Sequence, residues 1–388
     1  MKSYTLLLVF CLSVLMGCTE PIRPEFDFKS GMVLVEGFVS TAPNGSFVKI
    51  NTVNEFNIGT NSYENVFIGG AEVSFINTDT GDVVALIEDT EADIYIPPVD
   101  FVAIAGQTWE LDILLDDGRQ YKSLPETIME SVPISAIGVT YKPELSFNVE
   151  LDDFAPGHSI LVDFEDPPNV ENYYYWNYRS FEFRDICVTC HIYRIYRDGT
   201  CVLIGSEIPP EVELVHPYQT YYCENDCWRI RYNQNIKIFS DKFTNGSTIE
   251  RLPVADVLLY TKKDILVEVQ QFSLSASAYE YYETLKDLIN DNGGFNSPPS
   301  AALIGNIINP NDRDEFVLGR FTAAPAETAR IILERDDVEE DQIEIGLLAP
   351  EGTWQEPRIP PEEYIFEAPC PGESRYNTSI RPEGWPTN

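Results

Sequence analysis

Between residues 32 and 125 the chain repeats one pattern, a short run alternating apolar and polar residues followed by a turn. MVLVEGFVS (32–40) and SFVKINTV (46–53) flank Pro43-Asn44-Gly45, and AEVSFINT (71–78) and VVALIED (83–89) flank Asp79-Thr80-Gly81-Asp82. WELDILL (109–115) runs into Asp116-Asp117-Gly118 and then RQYKSLP. Successive side chains on a strand point to opposite faces, so period-two alternation predicts half-buried strands, and the Gly and Asn turns between them predict hairpins. A chain punctuated this often pairs its backbone as antiparallel sheet. The expectation for residues 31–128 is a small β-sandwich. With 21 Tyr and 21 Phe, the composition favours strands over helices.

The second half carries longer versions of the same signal. Pro125 to Pro133 reads as a linker, after which SVPISAIGVTYKPELSF opens a second domain. HSILVDFEDP (158–167), YYYWNYRSFEF (173–183), KIFSDKF (237–243), VADVLLY (254–260) and DILVEVQQFSL (264–274) read as strands, with Ile265, Val267 and Val269 sharing one face. One helix interrupts them. Ser275 is a good N-cap, Tyr279, Tyr282, Leu285, Leu288 and Ile289 form an apolar stripe, and Gly293-Gly294 closes it. AALIGNIINP (301–310), EFVLGRFTA (315–323) and IILER (331–335) return as strands. The expected fold is mainly β, with two antiparallel β-sandwich-like domains and one conspicuous α-helix, 276–291, in the second. That second domain spans 129–335 with a Cys-rich insertion at 184–230, and 336–388 is an acidic, Pro-rich, irregular tail. No repeat of fixed period occurs. Gly69-Gly70-Ala71-Glu72-Val73, followed by a turn and a second strand, resembles prealbumin-like and carboxypeptidase-regulatory-like modules in pattern.

Residues 1–17 read as a signal peptide. Lys2 gives the positive start and Leu6 to Met16 an apolar stretch too short for a stable span. Leu15-Met16-Gly17-Cys18 resembles a bacterial lipobox, although Met16 stands where a smaller residue is usual. Such a signal implies acylation of Cys18 and cleavage before it, with three acyl chains exceeding what stable anchoring needs. Residues 18–30, with Glu20, Glu25 and Asp27, then form a polar tether whose acidic start partly fits a surface-export signal.

Lys plus Arg number 26 and Asp plus Glu 63, a formal net charge of -37. This argues against nucleic-acid binding, which needs a basic footprint, and against adsorption to anionic lipid by charge. Removal of residues 1–17 takes Lys2 and no acidic residue, so the mature chain is more negative still.

Of eight cysteines, Cys11 leaves with the signal and Cys18 carries lipid. The remaining Cys187, Cys190, Cys201, Cys223, Cys227 and Cys370 are an even set in an exported chain, which predicts three disulfides of unspecified pairing. Zinc is the competing reading, because Cys187-x-x-Cys190 and Cys223-x-x-x-Cys227, with His191 adjacent, have ligand-like spacing. A redox role for Cys187-x-x-Cys190 lacks its strand-to-helix context.

Catalytic patterns are absent from the sequence. It has no Gly-x-Ser-x-Gly elbow, His-Glu-x-x-His helix, phosphate loop or dinucleotide fingerprint, and only His158, His191 and His216. His158, in Pro156-Gly157-His158, is expected in a turn leading into a strand. Asn309-Pro310-Asn311-Asp312-Arg313-Asp314 departs from a calcium loop at Arg313 and reads as an inter-strand turn. No enzyme, cofactor or metal is expected. Tyr174, Trp176, Tyr178, Tyr222 and Trp228 are candidate interface residues, because Tyr and Trp favour binding surfaces. The rival reading places them in the sheet core.

Five features stand in a familiar order: Cys18 with its tether, Leu34-Val35-Glu36-Gly37, Tyr279-Glu280-Tyr281-Tyr282, Ile304-Gly305-Asn306-Ile307 and Val317-Leu318-Gly319-Arg320-Phe321. Together, over about residues 30–335, they resemble the Bacteroidota lipoprotein family called domain of unknown function 4249, and Cys187-Val188-Thr189-Cys190 also fits its members. The resemblance implies an outer-membrane, lipid-anchored protein, and genes of this family often neighbour a TonB-dependent barrel of the starch-utilisation type. It supplies no catalytic or ligand residues. The expected function is a non-enzymatic, surface-exposed outer-membrane lipoprotein that is an accessory or ligand-capturing partner of such a barrel. The alternative is a structural or adhesive envelope lipoprotein.

Overall fold

The alternating segments become strands. The structure is a computed structural model that describes residues 31–57, 62–90, 92–148, 151–191, 194–203, 218–233, 235–290, 303, 305–343, 366–370 and 376–386. The first part holds β1 (Met32–Ser40), β2 (Phe47–Asn57), β3 (Ser62–Phe67), β4 (Glu72–Asn77), β5 (Val83–Ala85), β6 (Ile87–Asp89), β7 (Ile94–Ile96), β8 (Thr108–Leu114), β9 (Gln120–Ser123) and β10 (Glu126–Thr127). There follow β11 (Ile134–Asn148), β12 (Asp153–Glu165), β13 (Tyr173–Phe183), β14 (Ile186–His191), β15 (Arg194–Arg197), β16 (Thr200–Leu203), β17 (Tyr218–Cys223), β18 (Trp228–Tyr232), β19 (Lys237–Ser240), β20 (Thr248–Leu258) and β21 (Ile265–Leu274). Helix α1 (Ala276–Asn290) leads to β22 (Ile307–Ile308), β23 (Leu318–Ala324), β24 (Ala326–Leu333), β25 (Phe366–Ala368) and β26 (Asn377–Thr378). Of the expected turns, 43–45 joins β1 to β2 with Asn44 at φ 56°, and Gly81 and Gly118 turn β4 into β5 and β8 into β9 at φ 80° and 87°.

Two sheets make the first sandwich, ordered β23-β1-β2-β7-β6 and β22-β9-β8-β4-β5, with β3 beside β2 and β10 beside β8. Their inward faces supply one core, including Val33, Val35, Ile50, Phe75, Trp109, Leu111, Ile113, Tyr121 and Phe321. Residues of the expected 129–335 domain thus complete both sheets of the first. β23 pairs parallel with β1 from Leu34↔Leu318 to Ser40↔Ala324, and β22 pairs with β9. After Pro325 the same segment continues as β24 and pairs antiparallel with β21 of the second sandwich. One stretch of chain therefore laces the two units together.

The second sandwich packs the sheet β11-β12-β20 on the sheet β24-β21-β13-β18-β26, with β19 also on β13. Ile160, Val162, Phe164, Tyr174, Trp176, Val257 and the expected Ile265, Val267 and Val269 meet between them. The stretch 125–133 is not a solvated linker. Glu126–Thr127 is strand, Ile128 is buried in the first core and Val132 in the second. The tail is likewise not irregular where it is described. β25 pairs parallel with β17, β26 pairs with β18, and Trp385 packs on Phe183 and Trp228.

Two glycines allow the lacing. Gly319 sits at φ 92°, and a Cβ there would lie 2.0 Å from the Val35 carbonyl oxygen; a Cβ on Gly305 would lie 1.7 Å from the Gly319 oxygen. Backbone approaches this close exclude any side chain. Gly118 shares the positive φ but has open space around it. Gly319→Ala should therefore cost more than about 3 kcal/mol, against about 1–2 kcal/mol for Gly118→Ala, as read by urea denaturation. Equal losses would mean that backbone strain, and not close packing, sets the requirement.

Candidate functional site

Where the two sandwiches meet, helix α1 covers the seam. Ser275 caps it, its Oγ accepting the Ala278 N–H at 3.2 Å. The stripe meets the sheet as the sequence implied for two residues: Tyr279 lies on Tyr173 and Tyr282 on Tyr175, both with ring centroids 4.9 Å apart. Phe38, Phe272, Leu274 and Ala278 are buried beneath them. Leu285 and Leu288 are half-buried, but Ile289 is exposed, and Gly293-Gly294 lies outside the described residues.

Beside this helix lies a pocket of about 390 Å³, lined by residues that include Leu124, Ser277, Glu280, Tyr281, Thr284 and Asn306. Its floor is the buried ion pair of Glu126 and Arg320. Four further bonds converge on the pair. Ser275 Oγ donates to Glu126 Oε2 at 2.8 Å, Ser277 Oγ to Oε1 at 3.3 Å and Asn306 Nδ2 to Oε1 at 3.2 Å, while Arg320 Nη2 donates to Ser277 Oγ at 2.9 Å. Asn306 also spans the Phe321 backbone, its Nδ2 donating to the carbonyl and its Oδ1 accepting the N–H, each at 2.9 Å. The Arg320 guanidinium stands 5.9 Å from the Tyr281 ring centroid. Burial, aided by Glu36, pushes the Tyr281 hydroxyl up to about 12, so it remains a neutral donor at neutral pH. The polar atoms of the floor are bonded largely to one another, which fixes the positions of these side chains beside one aromatic ring.

The aromatic candidates divide. Tyr174, Trp176 and Trp228 are buried and are core, not interface. Tyr174 donates to Asp166 at 2.5 Å and Trp176 to Gln271 at 2.9 Å, which satisfies their polar atoms inside. On the other face of β13, Tyr173 and Tyr175 are covered by α1. Tyr178 and Tyr222 are half-buried, and Tyr178 donates to the Asp256 carbonyl at 3.0 Å. The pocket residues Glu126 and Arg320 were not singled out from sequence as site residues. Arg320, a charge between apolar neighbours in a strand, was the available signal.

All six late cysteines pair: Cys187–Cys223, Cys190–Cys201 and Cys227–Cys370. Thus Cys187 and Cys190, which spacing groups for zinc, belong to different bonds, and none of these six sulfurs is a free thiolate. Asn309–Asp314 forms a turn, as expected: Asn309 Oδ1 accepts the N–H groups of Asn311 at 2.8 Å and Asp312 at 3.2 Å. Cys18 and His216 lie outside the described residues.

The family model described as Domain of unknown function (DUF4249) matches residues 19–330. The chain belongs to this family. No curated protein matches it. The family match runs from Thr19 through the first sandwich and most of the second and ends within β24. In this DUF4249 member the late motifs of the sequence meet at one place: Gly305, Asn306, Gly319, Arg320 and Phe321 at the lacing strands, and Tyr281 and Tyr282 on the helix above.

His158 is not in a turn. It stands within β12 opposite Tyr141, their ring centroids 5.0 Å apart. Burial first, and the Arg335 guanidinium second, push its imidazole down from 6.5 to about 4. Between those values the unfolded chain binds the extra proton, so stability falls as pH drops from 6.5 toward 4 and is level in this respect below. His158→Gln should remove a slope approaching ~1.4 kcal/mol per pH unit in that window, seen by comparing urea midpoints of the two proteins at pH 7 and 4.5. Parallel pH profiles would show that folding does not lower the His158 pKa.

The ion pair makes a second expectation. Removing one partner strands a buried charge, so Arg320→Met should cost about 3–5 kcal/mol, while Glu126→Leu with Arg320→Met should recover most of it. Thermal or urea unfolding of the single and double variants reads this directly.

Proposed function

We propose that this chain is a non-enzymatic outer-membrane lipoprotein, held by acyl groups on Cys18 and facing the cell surface, that serves as an accessory or ligand-capturing partner of a TonB-dependent barrel. The observation that carries the proposal is the apolar Leu6–Met16 stretch ending in Gly17-Cys18, directly ahead of a folded β-structure. Only twelve residues lie between Cys18 and Gly31, a reach of about 45 Å at full extension. β1 runs from Met32 to Phe38 at the seam, so the tether joins the first sandwich at the pole away from the second. An anchored molecule then carries its first sandwich beside the membrane, with the second sandwich and the Cys-rich insertion outermost. The seam pocket is the natural place for a captured ligand, and the acidic surface suits an extracellular setting.

A structural or adhesive envelope role is the second reading. It is favoured by one observation: the aromatic residues that would have made an exposed capture platform, Tyr174, Trp176 and Trp228, pack inside.

Extraction of the tagged protein from native outer membrane, followed by mass spectrometry, separates these readings. A TonB-dependent barrel recovered in stoichiometric amount is the expected result. Recovery of the lipoprotein without any barrel sinks the first reading and favours the second. In the same cells Cys18→Ala should move the protein from the membrane to the soluble fraction. Retention in the membrane would overturn the anchor itself.

A further inference from the structure

Residues 83–89, VVALIED, leave one sheet of the first sandwich and join the other. β5 pairs with β4, the Leu86 N–H donates to the Val73 carbonyl at 2.8 Å, and β6 then pairs with β7. Val84 and Leu86 turn inward onto the first core. On the outer face of such a strand polar residues are expected. Val83, Ala85 and Ile87 stand there instead, and all three are exposed. β5 and β6 each end the order of their sheet, and no Lys or Pro blunts that edge.

The topology brings a second apolar group to the same corner. Ile87 pairs with Ile96, from which residues 97–107 run back to β8. That stretch is fixed in place. Phe101 packs on Phe75 and Trp109, with ring centroids 5.9 and 5.4 Å apart, and Ala103 is buried. The Phe101 N–H donates to the Pro98 carbonyl at 2.9 Å and the Gly106 N–H to the Ile128 carbonyl at 2.8 Å. Its return is tied to the turn ahead of β5, since the Thr108 N–H donates to Asp79 Oδ2 at 2.8 Å. With Phe101 and Ala103 turned inward, Val99, Val102 and Ile104 are left in water. Together with Val83 and Ile87 they are between 60% and 94% exposed.

The charges around this corner have one sign. Between Lys49 and Arg119 the chain has no Lys, Arg or His, and Asp79, Asp82 and Asp100 are exposed beside the apolar residues. Surfaces that stay in water rarely gather so many large apolar side chains. The rim selects among occupants. A second copy of this corner would set Asp against Asp, and an anionic lipid surface would meet the same repulsion. A protein face with an apolar centre and a rim of Lys and Arg matches both features.

We infer that Val83, Ile87, Val99, Val102 and Ile104 form a docking face for a partner protein whose contact surface is apolar and rimmed by Lys or Arg. β5 and β6 lie at the opposite ends of their sheets from β22 and β23, so a partner seated here leaves the seam pocket open.

The test places a benzophenone side chain at position 99 or, separately, at position 102 of the full chain, in cells that produce it naturally, and irradiates them. The expected result is one partner protein cross-linked, with mass spectrometry placing the bond in an apolar segment that adjoins Lys or Arg. Position 380, where an exposed Ile lies outside this corner, should give no such adduct. Ile87→Thr with Ile104→Thr changes no charge and should lower the yield at position 99 by about tenfold. An equal yield from position 380, an unchanged yield in the double variant, an adduct with lipid or with a second copy, or no adduct from either position would each overturn the face. The identity of the cross-linked protein is read separately. A TonB-dependent barrel or another protein of the stated chemistry upholds the face, and only the barrel also supports the proposed function.

Discussion

The contact on which the seam depends is the buried pair of Glu126 and Arg320. The two residues arrive from opposite ends of the fold's lacing: Glu126 from β10 on the edge of one sheet, and Arg320 from β23 in the other. Helix α1 adds Ser277, its cap adds Ser275, and the chain just before β22 adds Asn306. Such a pair is a weak source of net stability, because desolvating two charges offsets most of their attraction. Its value is in specifying register. A shift of β23 by one residue against β1 would turn Arg320 to the opposite face and leave a carboxylate buried without its counter-charge. Gly319 and Gly305 enforce the same register by steric means, since each sits where backbone meets backbone.

This arrangement governs how the chain can fold. Leu34 pairs with Leu318, across nearly three quarters of the polypeptide. The first sandwich cannot finish its sheets until β22 and β23 exist, although its other strands lie before residue 128. Pairings of such long separation carry a loop-closure cost before they return any burial, which slows folding of β-rich topologies. The two sandwiches therefore behave as one cooperative body: Ile128 belongs to one core and Val132 to the other, and Pro325 alone separates strands that serve different sandwiches.

What could be read in the sequence was what is local. Period-two alternation marked β1, β2, β4, β8 and β21, Asn44, Gly81 and Gly118 marked their turns, and Ser275 marked the start of the helix within a residue. What could not be read was non-local. Nothing in Leu318–Ala324 distinguishes a parallel partner of β1 from a strand of the second domain, because alternation reports a buried face and not its neighbour. The aromatics of β13 show the same limit: Tyr173 and Tyr175 alternate with Tyr174 and Trp176, but only the position of α1 decides that both faces are covered. Disulfide pairing was closed for a related reason, as Cys187-x-x-Cys190 suggests a unit while the strand geometry sends the two sulfurs apart. Glu126 was hidden by its Pro125 neighbour, which gives the segment the look of a linker.

The charge imbalance poses a final physical question, which the interior answers. A net charge of -37 repels itself and opposes compaction. The fold places some of its scarce cations inside. Arg335 is fully buried, donating to the carbonyls of Thr261 at 3.0 Å and Leu258 at 3.2 Å, with burial lowering its basicity. Guanidinium is weakly hydrated for a cation and can meet several oxygens at once, so arginine tolerates this role where lysine would not. Glu268 shows the converse, a buried carboxylate bridged by Arg179 and Arg330 from the strands on either side, at 2.7 and 2.8 Å. Interior charge is thus matched to fixed partners and the acidic surplus is left on the surface, where water and salt screen it. The Cys-rich insertion is cross-linked by bonds that no ionic condition weakens, each contributing about 2–4 kcal/mol by restricting the unfolded chain. Covalent closure therefore holds together the part of an acidic chain that hydrophobic burial serves least.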